Sequence, residues 1–377
     1  MKVVGLIAGM LSILIAAFDS FETVVLPRRV VRRVRLAKIF YRVSWAVWAW
    51  PGRKLRAGNR REYYLSFYGP LSLIALLVLW AALFICGFGL INWSLGLPMH
   101  APGTTLSLGG YLYMSGTTFV TLGLGDITPL SGAGHFLTVL EAGSGLGFLA
   151  LVIGYLPVIY QTFSRREINI SLLDARSGTP PGGPELLIRH YDGRSPDELL
   201  HYLRDWERWC AELLESHLSY PVLAFYRSQH ESQSWLGALA TLLDTCTLIL
   251  VGVEGVPVKP ASFIFAVARH AAVDLTQSFG IQPVKALRRY SPDDFAQLCA
   301  TLAERGIILR SDQEADERLR ELRQMYEPFV EALASYLIVD LPELNIVPDR
   351  VDDWQTSAWD HFLAAAPRVL DRAMRWK

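Results

Sequence analysis

The chain has 377 residues, 51% of them hydrophobic, and 36 Lys and Arg balance 36 Asp and Glu; with a mean hydropathy of +0.26 this agrees with a membrane protein that carries a sizeable soluble part. The zero net charge conceals a partition: residues 1–66 carry +10, residues 67–164 carry −2 and residues 165–377 carry −8. No P-loop, no GxGxxG following a strand and no histidine pair at metal-ligand spacing occurs, so an enzyme, a cofactor, an identifiable small-molecule ligand and a nucleic-acid partner are not expected.

The first element is MKVVGLIAGMLSILIAAF, which has the length of a signal-peptide apolar region, with Lys2 before it. AAF is a poor cleavage site, and export of the next segment would put a strongly basic stretch outside. Residues 1–26 are therefore read as an uncleaved transmembrane segment with its N terminus outside. About 17 apolar residues is the short end of the spanning range.

Residues 27–67 form a basic stretch, in which Arg29, Arg32, Arg35 and Lys38 recur every third residue. A voltage sensor would need a bundle of membrane helices with acidic partners, and one segment precedes it. The expected form is a cytoplasmic interfacial helix, with Val30, Val34, Tyr41, Trp45 and Trp48 as apolar anchors. Arg32, Arg33, Arg35 and Lys38 are candidates for binding anionic membrane lipid, and a plain topology signal is the alternative.

Leu71 to Ile91 is an uncharged apolar run long enough to cross a bilayer, and His135 to Tyr160 is a second, with Glu141 as its only acidic residue. Between them, residues 108–129 predict a short helix and a loop containing Thr121-Leu122-Gly123-Leu124-Gly125-Asp126. Alone, that string is a glycine-rich turn. Between two spans, glycines at alternate positions let the carbonyls of Thr121, Leu122, Gly123 and Leu124 converge on one axis, which is how rings of backbone oxygens replace the water shell of K⁺. The short helix would aim its negative C-terminal end at the ion.

Span, short helix, TLGLGD loop and span together resemble the two-transmembrane pore module of potassium channels, over residues 68–165, with the outer helix at 71–91 and the inner helix at 135–161. TLGLGD is similar to the more familiar TVGYGD signature, with Leu124 where tyrosine is usual. The resemblance makes Thr121 to Asp126 the selectivity filter and Tyr113, Thr117 and Thr118 its pore-helix support. It places Gly145 at the family's inner-helix hinge, with Glu141 one turn before it. Glu141 is expected to face the pore helix and bond Thr117 or Thr118, with a cation site in the cavity as the alternative. Pro157 is a second place where the inner helix can bend, and close packing between helices is the alternative for both positions. One filter strand per chain implies a homotetramer.

Twelve basic residues between Arg28 and Arg61 precede the first of these spans, and Arg165 and Arg166 close the second, which puts both ends in the cytoplasm of a multi-pass cell-membrane protein. Residues 166–184 are read as a linker ending in RSGTPPGGP, although SRREINISLLDA could continue the inner helix. From 185 to 377 the chain reads as an all-α cytoplasmic domain, with capping signals at Ser195 and Ser291 and helices over 233–251, 262–279, 312–339 and 352–376. SWLGALATLLDTCTLILVGV resembles a further span, but Asp244 in its middle makes a buried core helix the better reading. Cys86 falls in the bilayer and the other three cysteines in a reducing compartment, so no disulfide is expected. The functional expectation is passive K⁺ transport, with two alternatives: a membrane-anchored helical scaffold that conducts poorly, and a nonselective cation channel.

Overall fold

The computed structural model describes residues 2–26, 35–101, 106–178, 181–230, 233–284 and 292–344. They are almost wholly helical and divide into two compact units: residues 1–51 with 67–161, and residues 52–66 with 162–377. Arg32 and Arg33, Ser291 and the helix expected over 352–376 lie outside the described residues.

In the first unit, α1 (Lys2–Ser20) is followed by a π-helical turn (Phe21–Val25), then α2 (Leu36–Gly52), α4 (Tyr68–Leu95), β1 (Met99–His100), α5 (Leu108–Phe119), β2 (Thr128–Pro129) and α6 (Gly132–Ser177), which continues into the second unit; α3 (Asn59–Ser66) precedes α4 in the chain. Helix α1 lies close against α4 because glycines face each other: a Cβ on Gly9 would stand 2.7 Å from the carbonyl oxygen of Gly87, and one on Gly87 2.9 Å from that of Gly9. Small residues that let backbones approach are the usual device for joining helices in lipid. The Ser12 hydroxyl adds a bond to the Leu83 carbonyl at 2.8 Å.

Asp19 is buried at the end of α1 and takes hydrogen bonds from Trp80 Nε1 of α4 at 2.9 Å and from the Ala37 N–H in the first turn of α2 at 3.1 Å. One carboxylate thus caps a helix and joins three. The neighbouring Glu22 pairs with Arg35 at 3.6 Å, and Arg35 also donates to Thr23 at 3.1 Å. Of the residues expected to reach lipid headgroups, Arg35 is therefore turned inward: the acidic residues after α1 supply a nearer partner than a headgroup.

The second unit contains α3, the last part of α6, and then α7 (Gly183–His190), α8 (Asp197–Ser219), a 3₁₀ turn (Pro221–Phe225), α9 (Trp235–Gly252), α10 (Val258–Phe279), α11 (Pro292–Glu304), α12 (Gln313–Gln324) and α13 (Glu327–Leu337). Residues 166–177, expected as linker, are helical, because SRREINISLLDA holds no breaker and its Ile170 and Leu173 are fully buried. The single helix expected over 312–339 is two, since the chain turns at Met325 and Tyr326 and restarts with Pro328 in the first turn of α13.

Among the described residues, four helical stretches are long and apolar enough to cross a membrane: Lys2–Val25, Asn59–Leu95, Gly132–Ser177 and Trp235–Gly252. The last is α9, buried along nearly its whole length inside the second unit. Its Asp244 accepts from Arg323 at 3.0 Å and from the Tyr326 hydroxyl at 2.6 Å, and Arg323 also meets Glu327 at 2.5 Å. A buried carboxylate satisfied in this way is the device of a folded core.

His217 of α8 supplies a pH dependence. Its Nδ1 faces the Leu213 carbonyl at 3.0 Å, which can only accept, so Nδ1 carries the proton and Nε2 accepts from Arg166 at 3.1 Å. Burial, then the Arg166 charge, holds this imidazole well below its ordinary 6.5. The folded chain stays unprotonated where the unfolded chain takes up a proton, so this contribution to stability is present above about 6.5 and is lost as pH falls below it. The melting temperature should fall more steeply between pH 7 and pH 5 in the wild type than in His217→Gln; parallel profiles would refute the assignment.

Candidate functional site

The site is built on α5, which is held by its neighbours at several levels. Tyr111 donates to the Leu97 carbonyl at 2.9 Å, and Leu112 lies so close to α4 that a Cβ on Gly89 would stand 2.8 Å from it. At the C-terminal end, Phe119 stacks on Phe84 at 5.5 Å between ring centroids and meets Phe148 of α6 at 5.8 Å. These three rings wedge the end of the helix between α4 and α6.

Beyond Phe119 the chain turns back on the helix end, whose last carbonyls have no intrahelical partners. The Thr121 N–H bonds the Thr118 carbonyl at 3.0 Å, and the N–H groups of Leu122 and Gly123 bond the Thr117 carbonyl at 2.8 and 3.1 Å. Thr117 and Thr118 thus support the loop through their backbones; the Thr117 hydroxyl bonds the Met114 carbonyl at 2.9 Å.

Backbone conformation alternates along the loop. Thr121, Gly123 and Gly125 have φ of +60°, +52° and +77°, and the intervening Leu122 and Leu124 are not in that region. Alternating hands turns successive N–H groups to one side of a strand and successive carbonyls to the other. Here the end of α5 takes up the N–H groups of Thr121, Leu122 and Gly123. Nothing lies within 4 Å of a Cβ built on Gly123 or Gly125, so the demand for glycine is one of conformation alone. Leu122 and Leu124 are exposed. Asp126 ends the run beside the Tyr113 hydroxyl, within hydrogen-bonding reach. The chain is then fixed by antiparallel pairing of β2 with β1 and by a Leu130 N–H bond to the Pro98 carbonyl at 3.0 Å.

Two further positions on α6 meet α5. Glu141 is fully buried, and its carboxyl meets the Ser115 hydroxyl, which also stands 2.7 Å from the Ile85 carbonyl oxygen and has one proton to share between the two. The expected partners Thr117 and Thr118 are not used: Ser115 is the hydroxyl on the face of α5 that meets α4 and α6. Gly145, one turn on, touches the end of α5, where a Cβ would stand 1.9 Å from the Phe119 carbonyl oxygen. The expected hinge position is therefore a backbone contact, and α6 runs helically through it and through Pro157. Ser115, Phe84 and Phe148 were missed in the sequence. A lone serine inside an apolar run, opposite a lone glutamate inside another, was the available signal for the first; the rings had none.

The comparisons agree with this arrangement. Residues 73–161 match the family model described as an ion channel, which is not an enzyme family. The chain is also 28% identical over 214 residues to an uncharacterised membrane protein, YdjJ, of Bacillus subtilis (strain 168), an alignment covering 55% of this chain and 60% of that one. The chain thus spans about 60% of the length of the curated relative it matches. No solved structure matches it.

Proposed function

We propose that the chain is a potassium-selective channel of the cell membrane, a homotetramer in which each copy contributes one filter strand, with the helical unit in the cytoplasm. The alternation of φ at Thr121, Gly123 and Gly125 carries this reading, because it is the backbone geometry that would turn consecutive carbonyls of the TLGLG run to one face. Carbonyl dipoles so arranged are ligands for a dehydrated monovalent cation, and four strands around an axis make successive rings. The C-terminal end of α5, anchored by three rings, adds its dipole at that place. Purified protein in liposomes loaded with KCl should pass K⁺ and discriminate against Na⁺; no flux under a K⁺ gradient would favour a non-conducting scaffold.

A second reading, a nonselective cation channel, draws on Leu124. This side chain is exposed and has no hydroxyl with which to brace the loop. Tyr111 is engaged with the Leu97 carbonyl and Tyr113 stands by Asp126, so neither occupies the space around Leu124 through a direct bond to it. Leu124→Tyr should keep or sharpen K⁺ over Na⁺ selectivity by about tenfold or less, which corresponds to about 1.4 kcal/mol. A reversal potential moved toward that of Na⁺ would count against the bracing account.

A further inference from the structure

The second unit contains a five-residue stretch, Leu223 to Arg227, that meets both of its helices leading to the membrane spans. Arg166 of α6 is buried and donates to the Leu223 carbonyl and to the Tyr226 carbonyl, each at 2.8 Å, while pairing with Glu167 at 2.9 Å. The next residue, Arg227, reaches the other way. Its guanidinium lies 3.3 Å from Glu62 of α3 and donates to the Leu337 carbonyl at the end of α13. Beside it, Arg61 of α3 bonds Asp340 at 2.6 Å.

The centre of the stretch is stiff. Phe225 is buried against Phe279 and Tyr336, with centroids at 5.7 and 6.3 Å, and Trp235 donates to the Ala224 carbonyl at 3.2 Å. Two carbonyls three residues apart are held by one planar guanidinium, which lysine cannot imitate. A buried guanidinium deprived of such acceptors is costly, so Arg166 and the stretch move together or not at all.

We propose that Leu223–Arg227 is a coupling strap: it ties α3, which the chain continues into the outer span, to α6, which carries the inner span, so that a displacement of one helix is passed to the other. Chain continuity makes this a route by which the helical unit sets the opening of the channel proposed above. The mechanical part does not depend on that reading. What distinguishes a strap from three separate contacts is action at a helix that the altered residue does not touch.

Amide hydrogen exchange of the full chain in lipid nanodiscs tests it, because local opening reports such coupling without any current. Arg166→Ala should speed exchange of the amides of residues 59–66, which Arg166 does not contact, by about tenfold or more, while those of α9 and α10 hold their wild-type rates. Wild-type exchange at 59–66 beside faster exchange at 223–227 would overturn the proposal. Should Arg166→Ala loosen α9 and α10 as well, Glu62→Gln decides, since it removes one partly exposed partner and leaves the core alone: faster exchange at 162–170 supports the strap, and unchanged exchange there overturns it. Coupled exchange in a chain that passes no K⁺ in liposomes would fault the channel reading and leave the strap standing.

Discussion

Gly145→Ala is expected to abolish K⁺ flux and lower the melting temperature. The added carbon would sit 1.9 Å from the Phe119 carbonyl oxygen and 2.8 Å from its carbon. These are backbone atoms at the end of α5 and cannot swing aside as a side chain would. Relief requires α5 and α6 to separate, against the Phe84, Phe119 and Phe148 rings and the Ser115–Glu141 bond. Overpacking of this kind costs about 1–3 kcal/mol. It also moves the Thr117 and Thr118 carbonyls that hold the N–H groups of residues 121–123. Gly143 and Gly147 supply the control, since a Cβ on either meets nothing within 4 Å. Alanine there should leave flux and melting near wild type. A hinge would behave differently: Gly145→Ala would change open probability and spare stability and selectivity, and that outcome would refute the packing account.

Gly123→Ala and Gly125→Ala should each give a chain that assembles as the wild type does and passes no K⁺. No atom obstructs the added carbon; the cost lies in φ of +52° and +77°, about 1–2 kcal/mol for an L-residue. An alanine that relaxes out of this region turns its carbonyl away from the line of the others. Thr121 shows that the strand already bears one such residue, at φ +60°. Size-exclusion chromatography and liposome flux on the same preparation check both halves of the expectation. Wild-type flux from either variant would remove the filter assignment.

The loop was legible because its glycines are spaced by a demand of local backbone geometry, which sequence records directly. What Gly145 faces was not legible: a glycine shows what the chain permits and says nothing of what stands opposite. The same limit hid the partners of Glu141, where three hydroxyls on α5 were within plausible reach and only the face of the helix selects Ser115. The helical character of the second unit could be read from its apolar spacing; the cap expected at Ser195 is not made, since α8 begins after Pro196 with no side-chain cap. The unit's extent could not be read, because Arg61 finds Asp340 279 positions away and draws residues 52–66 into that unit. Asp19 was not legible: it lies inside the segment read as residues 1–26, and it is a cap for α2 and a partner for Trp80.

The pairing of Asp244 with Arg323 has a consequence for biosynthesis. The two residues are 79 positions apart, so at about 5–20 residues per second the ribosome makes Asp244 roughly 4–16 s before it delivers the arginine. Throughout that interval a helix apolar enough to be taken for a membrane span is without the Arg323 guanidinium that its Asp244 meets in the folded chain. An aspartate at the centre of a helix costs about 2.5–3.5 kcal/mol on insertion into lipid, which biases α9 against crossing while its partner is still being made. Nascent chains stalled before residue 323 should therefore be the ones that recruit holdase chaperones or reach the bilayer by mistake, and Asp244→Leu should increase the share that inserts.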